Sequence, residues 1–159
     1  MLRIFSGDVE KYWPDAFHET VEFGNAFIKK LSETPVRDVP RLTKRRLEIL
    51  SEGSVSWHAI HQYHYSTWPD QNLQGGFRPL VDIAKIVKTN LSMGGNRTCL
   101  VHCSDSVNKT GVMIGLMNLM SDLDAYKDEI DVFATVYKMR AERMLMVISY
   151  TLKGNIRIL

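Results

Sequence analysis

Between Thr98 and Leu123 the sequence passes from a short apolar run, "TCLVHC", through a polar loop into a segment where nearly every position is apolar or small. The run has the length and flanking turn signals of a buried strand. The segment from Thr110 onward carries Val112, Met113, Ile114, Leu116, Met117, Leu119 and Met120. A helix that is apolar on most sides has to be central, and its methionines are read as core packing. Strand and helix therefore both belong to the interior, which is the plan of an α/β layered domain.

The rest of the chain supplies the layers. "RLTKRRLEIL" alternates around Leu47 and Ile49 as a strand does, and "WHAIHQYHYSTW" is a second strand, closed by Trp68, Pro69 and Asp70. Phe77, Leu80, Ala84, Val87 and Leu91 recur at helical spacing, and Gly94, Gly95 and Asn96 end that helix. Glu33 to Pro40 reads as a turn, punctuated by Pro35, Asp38 and Pro40. A last helix over about 131–143 is expected to turn Val132, Phe133, Val136 and Tyr137 inward. The chain of 159 residues is read as one domain.

Composition removes several classes of function. A net charge of +2 with no basic stripe does not suit nucleic acid, and Lys44, Arg45 and Arg46 are read as a solvated strand edge. No run approaches the roughly 18 apolar residues of a membrane span, and the first residues lack the apolar core of a signal peptide. Two cysteines, Cys99 and Cys103, make no disulfide framework, so a reducing cytoplasm is the expected compartment, the host cell's were the gene viral. Cys99 is read as a small buried apolar residue. His58, His61 and His64 do not share a metal: on a strand His61 points away from the other two, which stand about 20 Å apart.

The chemistry concentrates in "VHCSDSVNKTG", Val101 to Gly111. A helix beginning just after a tight loop turns free backbone N–H groups and its dipole toward whatever the loop encloses, which favours an anion. A thiol in that field is drawn toward thiolate, and Thr110 can donate to it. Taken alone, the loop is equally a buried cysteine before an ordinary helix.

"HCSDSVNKTG" resembles the signature of the cysteine-dependent protein tyrosine phosphatases: His-Cys, five residues, Arg, Ser or Thr, Gly. "HYSTWPDQ" resembles that family's mobile Trp-Pro-Asp loop, and "KYWP" (11–14) and "MRAERMLMV" (139–147) fall in the family's order. The resemblance implies a tyrosine-phosphatase-like fold, a mixed central sheet flanked by helices, here a truncated domain over 1–159 lacking the N-terminal part. It implies Cys103 as nucleophile, forming a phosphocysteine, and Asp70 as general acid. The loop from Ser104 through Asp105, Ser106, Val107, Asn108 and Lys109 to Thr110 would hold the phosphate, with His102 stabilising it. Phosphotyrosine-containing proteins are the implied partners, and no metal or other cofactor is needed.

Several positions depart from the family's pattern. Lys109 replaces an arginine whose planar fork grips two phosphate oxygens; losing one such donor costs about 100- to 1000-fold in turnover. Asp105 replaces an alanine, and a carboxylate about 6 Å from a phosphate costs on the order of 3 kcal/mol. The same charge opposes a thiolate on Cys103, and family members known as pseudophosphatases also carry aspartate there. Ser106 and Asn108 replace glycines, and Ile148 stands where the family positions water with a glutamine. Three readings follow: a phosphatase-like protein with little or no catalysis that binds phosphotyrosine proteins or competes with active phosphatases; a slow genuine phosphatase; or a gene fragment without function.

Overall fold

The computed structural model describes residues 10–68, 76–93, 97–126, 130–147 and, as backbone only, 156–158. Its strands are β1 (Thr20–Phe23), β2 (Ala26–Pro35), β3 (Leu42–Ser51), β4 (His58–Tyr65), β5 (Val101–Cys103) and β6 (Ile156–Ile158). Its helices are α1 (Arg78–Ser92), α2 (Asn108–Tyr126) and α3 (Val132–Glu142). The α/β arrangement expected from the sequence is present.

The strands form one sheet in the order β1-β2-β3-β4-β6-β5. Every described neighbouring pair is antiparallel, so the described sheet is antiparallel, where the resemblance implied a mixed one. Neighbours in the β3–β4 register, such as Leu42 opposite Tyr65 and Leu47 opposite Ile60, share a face, and alternate residues divide between two cores. Leu42, Tyr63, Tyr65 and Trp68 pack with Leu80, Ile83, Ala84 and Val87 of α1 and Met113 of α2. Trp13, Ile28 and Leu47 form a smaller cluster on the opposite face.

Two stretches differ from the sequence expectation. Glu33–Pro35 remain in β2, paired with Thr43–Arg45, so the turn is confined to Val36–Arg41, where Arg41 takes a φ of 67°. β1 and β2 were not expected. They are joined through Gly24 and Asn25, with Gly24 at φ 60°, the left-handed geometry that a two-residue hairpin needs.

The helices also depart in part. α3 turns Thr135 and Met139 inward and leaves Val132, Phe133 and Tyr137 exposed, contrary to the expected inner face. Met139 packs against α2 at Gly115, where a Cβ would stand 3.4 Å from Met139 Sδ, an ordinary contact distance. α2 itself is buried at Met113, but its later turns emerge and Leu123 is exposed.

Candidate active site

β5 delivers Cys103 to the end of a strand, and Ser104–Val107 turn the chain into α2. Ser106 adopts φ 52°, a conformation that costs a non-glycine residue energy, and its Oγ donates to Cys103 O at 3.3 Å. Cys103 is 5% exposed. Its Sγ accepts from Thr110 Oγ1 at 3.1 Å and donates to Asp105 Oδ1 at 3.1 Å.

Asp105 occupies the donors that open this helix. Its Oδ1 accepts from Val107 N at 2.9 Å and Asn108 N at 3.1 Å, and its Oδ2 from Asn108 Nδ2 at 2.8 Å. Burial pushes the Asp105 carboxyl up, but the hydrogen bonds from Val107 N, Cys103 and Asn108 outweigh it and hold the group below the ordinary aspartate range. The sequence foresees a charge that repels a phosphate; the structure shows a carboxylate hydrogen-bonded to the backbone N–H groups of Val107 and Asn108.

The start of α2 is held from behind by the segment that follows α3. Arg140 donates from Nε to Met146 O and from Nη2 to Val147 O, each at 2.9 Å, and Val147 N reaches Val107 O at 3.4 Å. Gly111 is required by this approach, because a Cβ there would meet Val147 Cγ2 at 2.8 Å. "MRAERMLMV" thus buttresses the cysteine loop.

A second support reaches the loop through His102. Tyr12 Oη and His102 Nε2 share a hydrogen bond at 3.2 Å, and Tyr12 Oη accepts from Gln62 Nε2 at 2.7 Å. Gln62, fully buried, accepts from Arg45 Nη1 at 2.9 Å, and Arg45 Nε donates to Glu33 Oε2 at 2.7 Å. The Arg45 guanidinium, with Lys30, holds the Glu33 carboxyl below its usual value against the opposing effect of burial. Arg45, read from the sequence with Lys44 and Arg46 as a solvated strand edge, is instead buried on β3, an interior strand of the sheet. Gln62 escaped the sequence reading, since nothing local marks a polar residue on a strand as buried. "KYWP" was visible, but Tyr12's contact with His102 was not.

The structure therefore brings together Cys103, Ser104, Asp105, Ser106, Val107, Asn108, Lys109 and Thr110, with Lys109 buried in the first turn of α2. Asp70 and Ile148 lie outside the described residues; Trp68, just before Asp70, is anchored in the core. His64 shares a hydrogen bond with Arg45 while His61 lies on the opposite face of β4, and the described residues hold no group of three metal-ligating side chains. None of the described helices is long and apolar enough to cross a membrane.

Comparison with known proteins agrees with this geometry. The family model for protein-tyrosine phosphatase matches residues 5–152. Receptor-type tyrosine-protein phosphatase eta of Gallus gallus is 28% identical over 139 residues, 87% of this chain and 10% of that protein. Phosphatidylinositol phosphatase PTPRQ of Rattus norvegicus is 31% identical over 137 residues, 86% of this chain and 6% of that protein. Tyrosine-protein phosphatase 1 of Schizosaccharomyces pombe is 31% identical over 150 residues, 88% of this chain and 26% of that protein. The chain thus spans between 6% and 26% of the length of these relatives, yet the match runs through the cysteine loop and both of its supports. A thiol at a helix start, buttressed by Arg140 and by Tyr12, belongs to a chain of the protein-tyrosine phosphatase family.

Proposed function

We propose that this chain is a tyrosine-phosphatase-like protein of impaired catalysis, in which the loop's own aspartate takes the place of the substrate phosphate. One observation carries the reading: Asp105 accepts from Val107 N, Asn108 N and the Cys103 thiol together. A phosphate entering the loop has to displace a carboxylate from charge-assisted hydrogen bonds, and a thiol that donates to that carboxylate is not an open nucleophile. In this reading Cys103 remains the attacking atom, Asp70 the proton donor and Ser104–Thr110 the phosphate cradle, with Lys109 a weaker grip than the family's arginine. Phosphotyrosine-containing proteins are the partners it would bind weakly or share with active phosphatases, in the cytoplasm.

A second reading is a slow genuine phosphatase. It is favoured by the Thr110 hydroxyl, which donates to Cys103 Sγ as stabilisation of a thiolate requires. Turnover of p-nitrophenyl phosphate by the purified chain, with Cys103→Ser as blank, separates the two. The first reading expects a rate at least about 100-fold below an intact family enzyme. A rate within about tenfold of such an enzyme, abolished by Cys103→Ser, overturns it.

A further inference from the structure

Away from the cysteine loop, the face of β4 that meets α1 borders a cavity of about 410 Å³. Its apolar walls are Val87 and Leu91 of α1, Ala59 and Tyr63 of β4, and Cys99. Val87 and Tyr63 are buried, and the volume lies within the range of small-molecule sites. None of the lining residues belongs to the Ser104–Thr110 loop.

The rim is positive. In the β3–β4 register Lys44 lies opposite Tyr63 and Arg46 opposite His61, so both share the cavity's face of the sheet. Arg97 closes the other side and donates to Asn90 O at 3.1 Å. Among the described residues none of Lys44, Arg46 and Arg97 forms an ion pair with a carboxylate. Lys44 Nζ lies 5.7 Å from the Tyr63 ring centroid instead. On β3 and β4 this face carries a single carboxylate, Glu48, opposite Ala59 at the far end. Burial, and then the charges of Lys44, Arg46 and Arg97, hold the His61 imidazole below the ordinary histidine range, so three cations act on one lip.

We propose that this cavity binds a small organic anion, its acyl or aryl body lying against Val87 and Tyr63 and its head held at the lip by Arg46, Arg97 and Lys44. An apolar chamber selects the body and unmatched cations select the head, a combination that neither a cation nor a neutral amphiphile satisfies. The proposal rests on the sheet and α1 and is independent of any phosphatase activity.

Cys99 provides a local readout. The chain has two cysteines, so in a Cys103→Ser variant the remaining thiol is the one in the cavity wall. Dodecanoate or dodecyl phosphate, kept below their micelle concentrations, should slow maleimide labelling of Cys99 about fivefold when present at several times the Kd. Protection by either anion supports the proposal, and the ratio between them identifies the preferred head group. Dodecylammonium of the same chain length should give no protection. Arg46→Glu with Arg97→Glu should weaken the anion about tenfold or more, and Lys44→Gln with Arg46→Gln, milder changes, should do so about threefold. Circular dichroism confirms that each variant is folded. Equal protection by dodecylammonium, unchanged protection in the folded charge variants, or no protection by either anion at about 1 mM overturns the proposal.

Discussion

Two helices in this chain have an aspartate at or just before their start, Asp131 as the N-cap of α3 and Asp105 two residues before the cap position of α2, and they use it differently. At α3, Asp131 takes an extended conformation and its Oδ1 accepts from Ala134 N at 2.8 Å, with only surface around it. At α2, Asp105 accepts from Val107 N and Asn108 N in the same manner, but a buried thiol is its third donor. Both satisfy N–H groups that a helix start leaves without partners. At α3 the result is stability alone. At α2 the same contacts occupy the amides at the start of a helix beside the Cys103 thiol, so in the proposed function a phosphate would compete with Asp105 for one set of amides.

The largest expected effect comes from removing that competitor and restoring the stronger grip. Asp105→Ala with Lys109→Arg should raise the burst of phenol released from an aryl phosphate by about 100-fold over the unaltered chain. Asp131→Ala with Lys109→Arg should raise nothing. Adding Ile148→Gln to the first pair should raise the steady rate more than the burst, because it acts on the later step. Rapid-quench kinetics measure both phases; a folded double variant without a burst would place the main defect outside this loop.

Next in size is binding without chemistry. Asp105→Ala alone should tighten inorganic phosphate by about tenfold or more, read by calorimetry, by relieving charge repulsion of a few kcal/mol only partly offset by lost loop order. Asp131→Ala should leave phosphate binding where it was. Equal responses at the two sites would break the comparison.

How far each site was visible beforehand follows from the range of its contacts. The Cys103 loop, α1, β3 and β4 were legible because strand, turn and helix patterns are local, and the loop's eight residues are contiguous. The β1–β2 hairpin has a local signal as well, since Gly24-Asn25 between two strand-like runs is a hairpin dipeptide. The inward face of α3 was not recoverable from its own periodicity, since Met139 packs against Gly115 on another helix. The same holds for Tyr12, Gln62 and Arg45, whose roles depend on His102, which is distant in the chain. That Asp105 folds back onto the Val107 and Asn108 amides depends on the left-handed turn at Ser106, which residue identity alone does not fix.

A smaller effect separates the two aspartates in stability. Asp131→Ala should cost about 1 kcal/mol by urea unfolding, whether or not phosphate is present. Asp105→Ala should cost a similar amount, about 1 kcal/mol, in buffer without phosphate, and less when phosphate takes over the cap. An Asp105→Ala cost that is indifferent to phosphate would mean the loop no longer offers its amides.

The smallest effect is with pH. The Asp105 carboxyl is held below its ordinary value of 3.8 in the folded chain, so the unfolded state binds its proton first on acidification. Its contribution is complete above the unfolded value and is lost as pH falls through the lower, folded one. The stability difference between the natural chain and Asp105→Asn should therefore be constant from pH 7 to about 5 and shrink below about 4. A difference that persists unchanged in acid would show that the charge on Asp105 does not carry the capping.

β6 has a consequence for the order of folding. It follows every other described element in the chain, yet it lies between β4 and β5 and pairs with both. Bringing so distant a segment back requires closing long loops before any of its ladder bonds repay the lost chain entropy. β1 to β4, each paired with its neighbour in sequence, form a meander that can assemble early. The strand that presents Cys103 has to wait. Refolding should accordingly show sheet signal before the Cys103 environment closes, with the cysteine loop maturing last and β4 keeping an open edge until then.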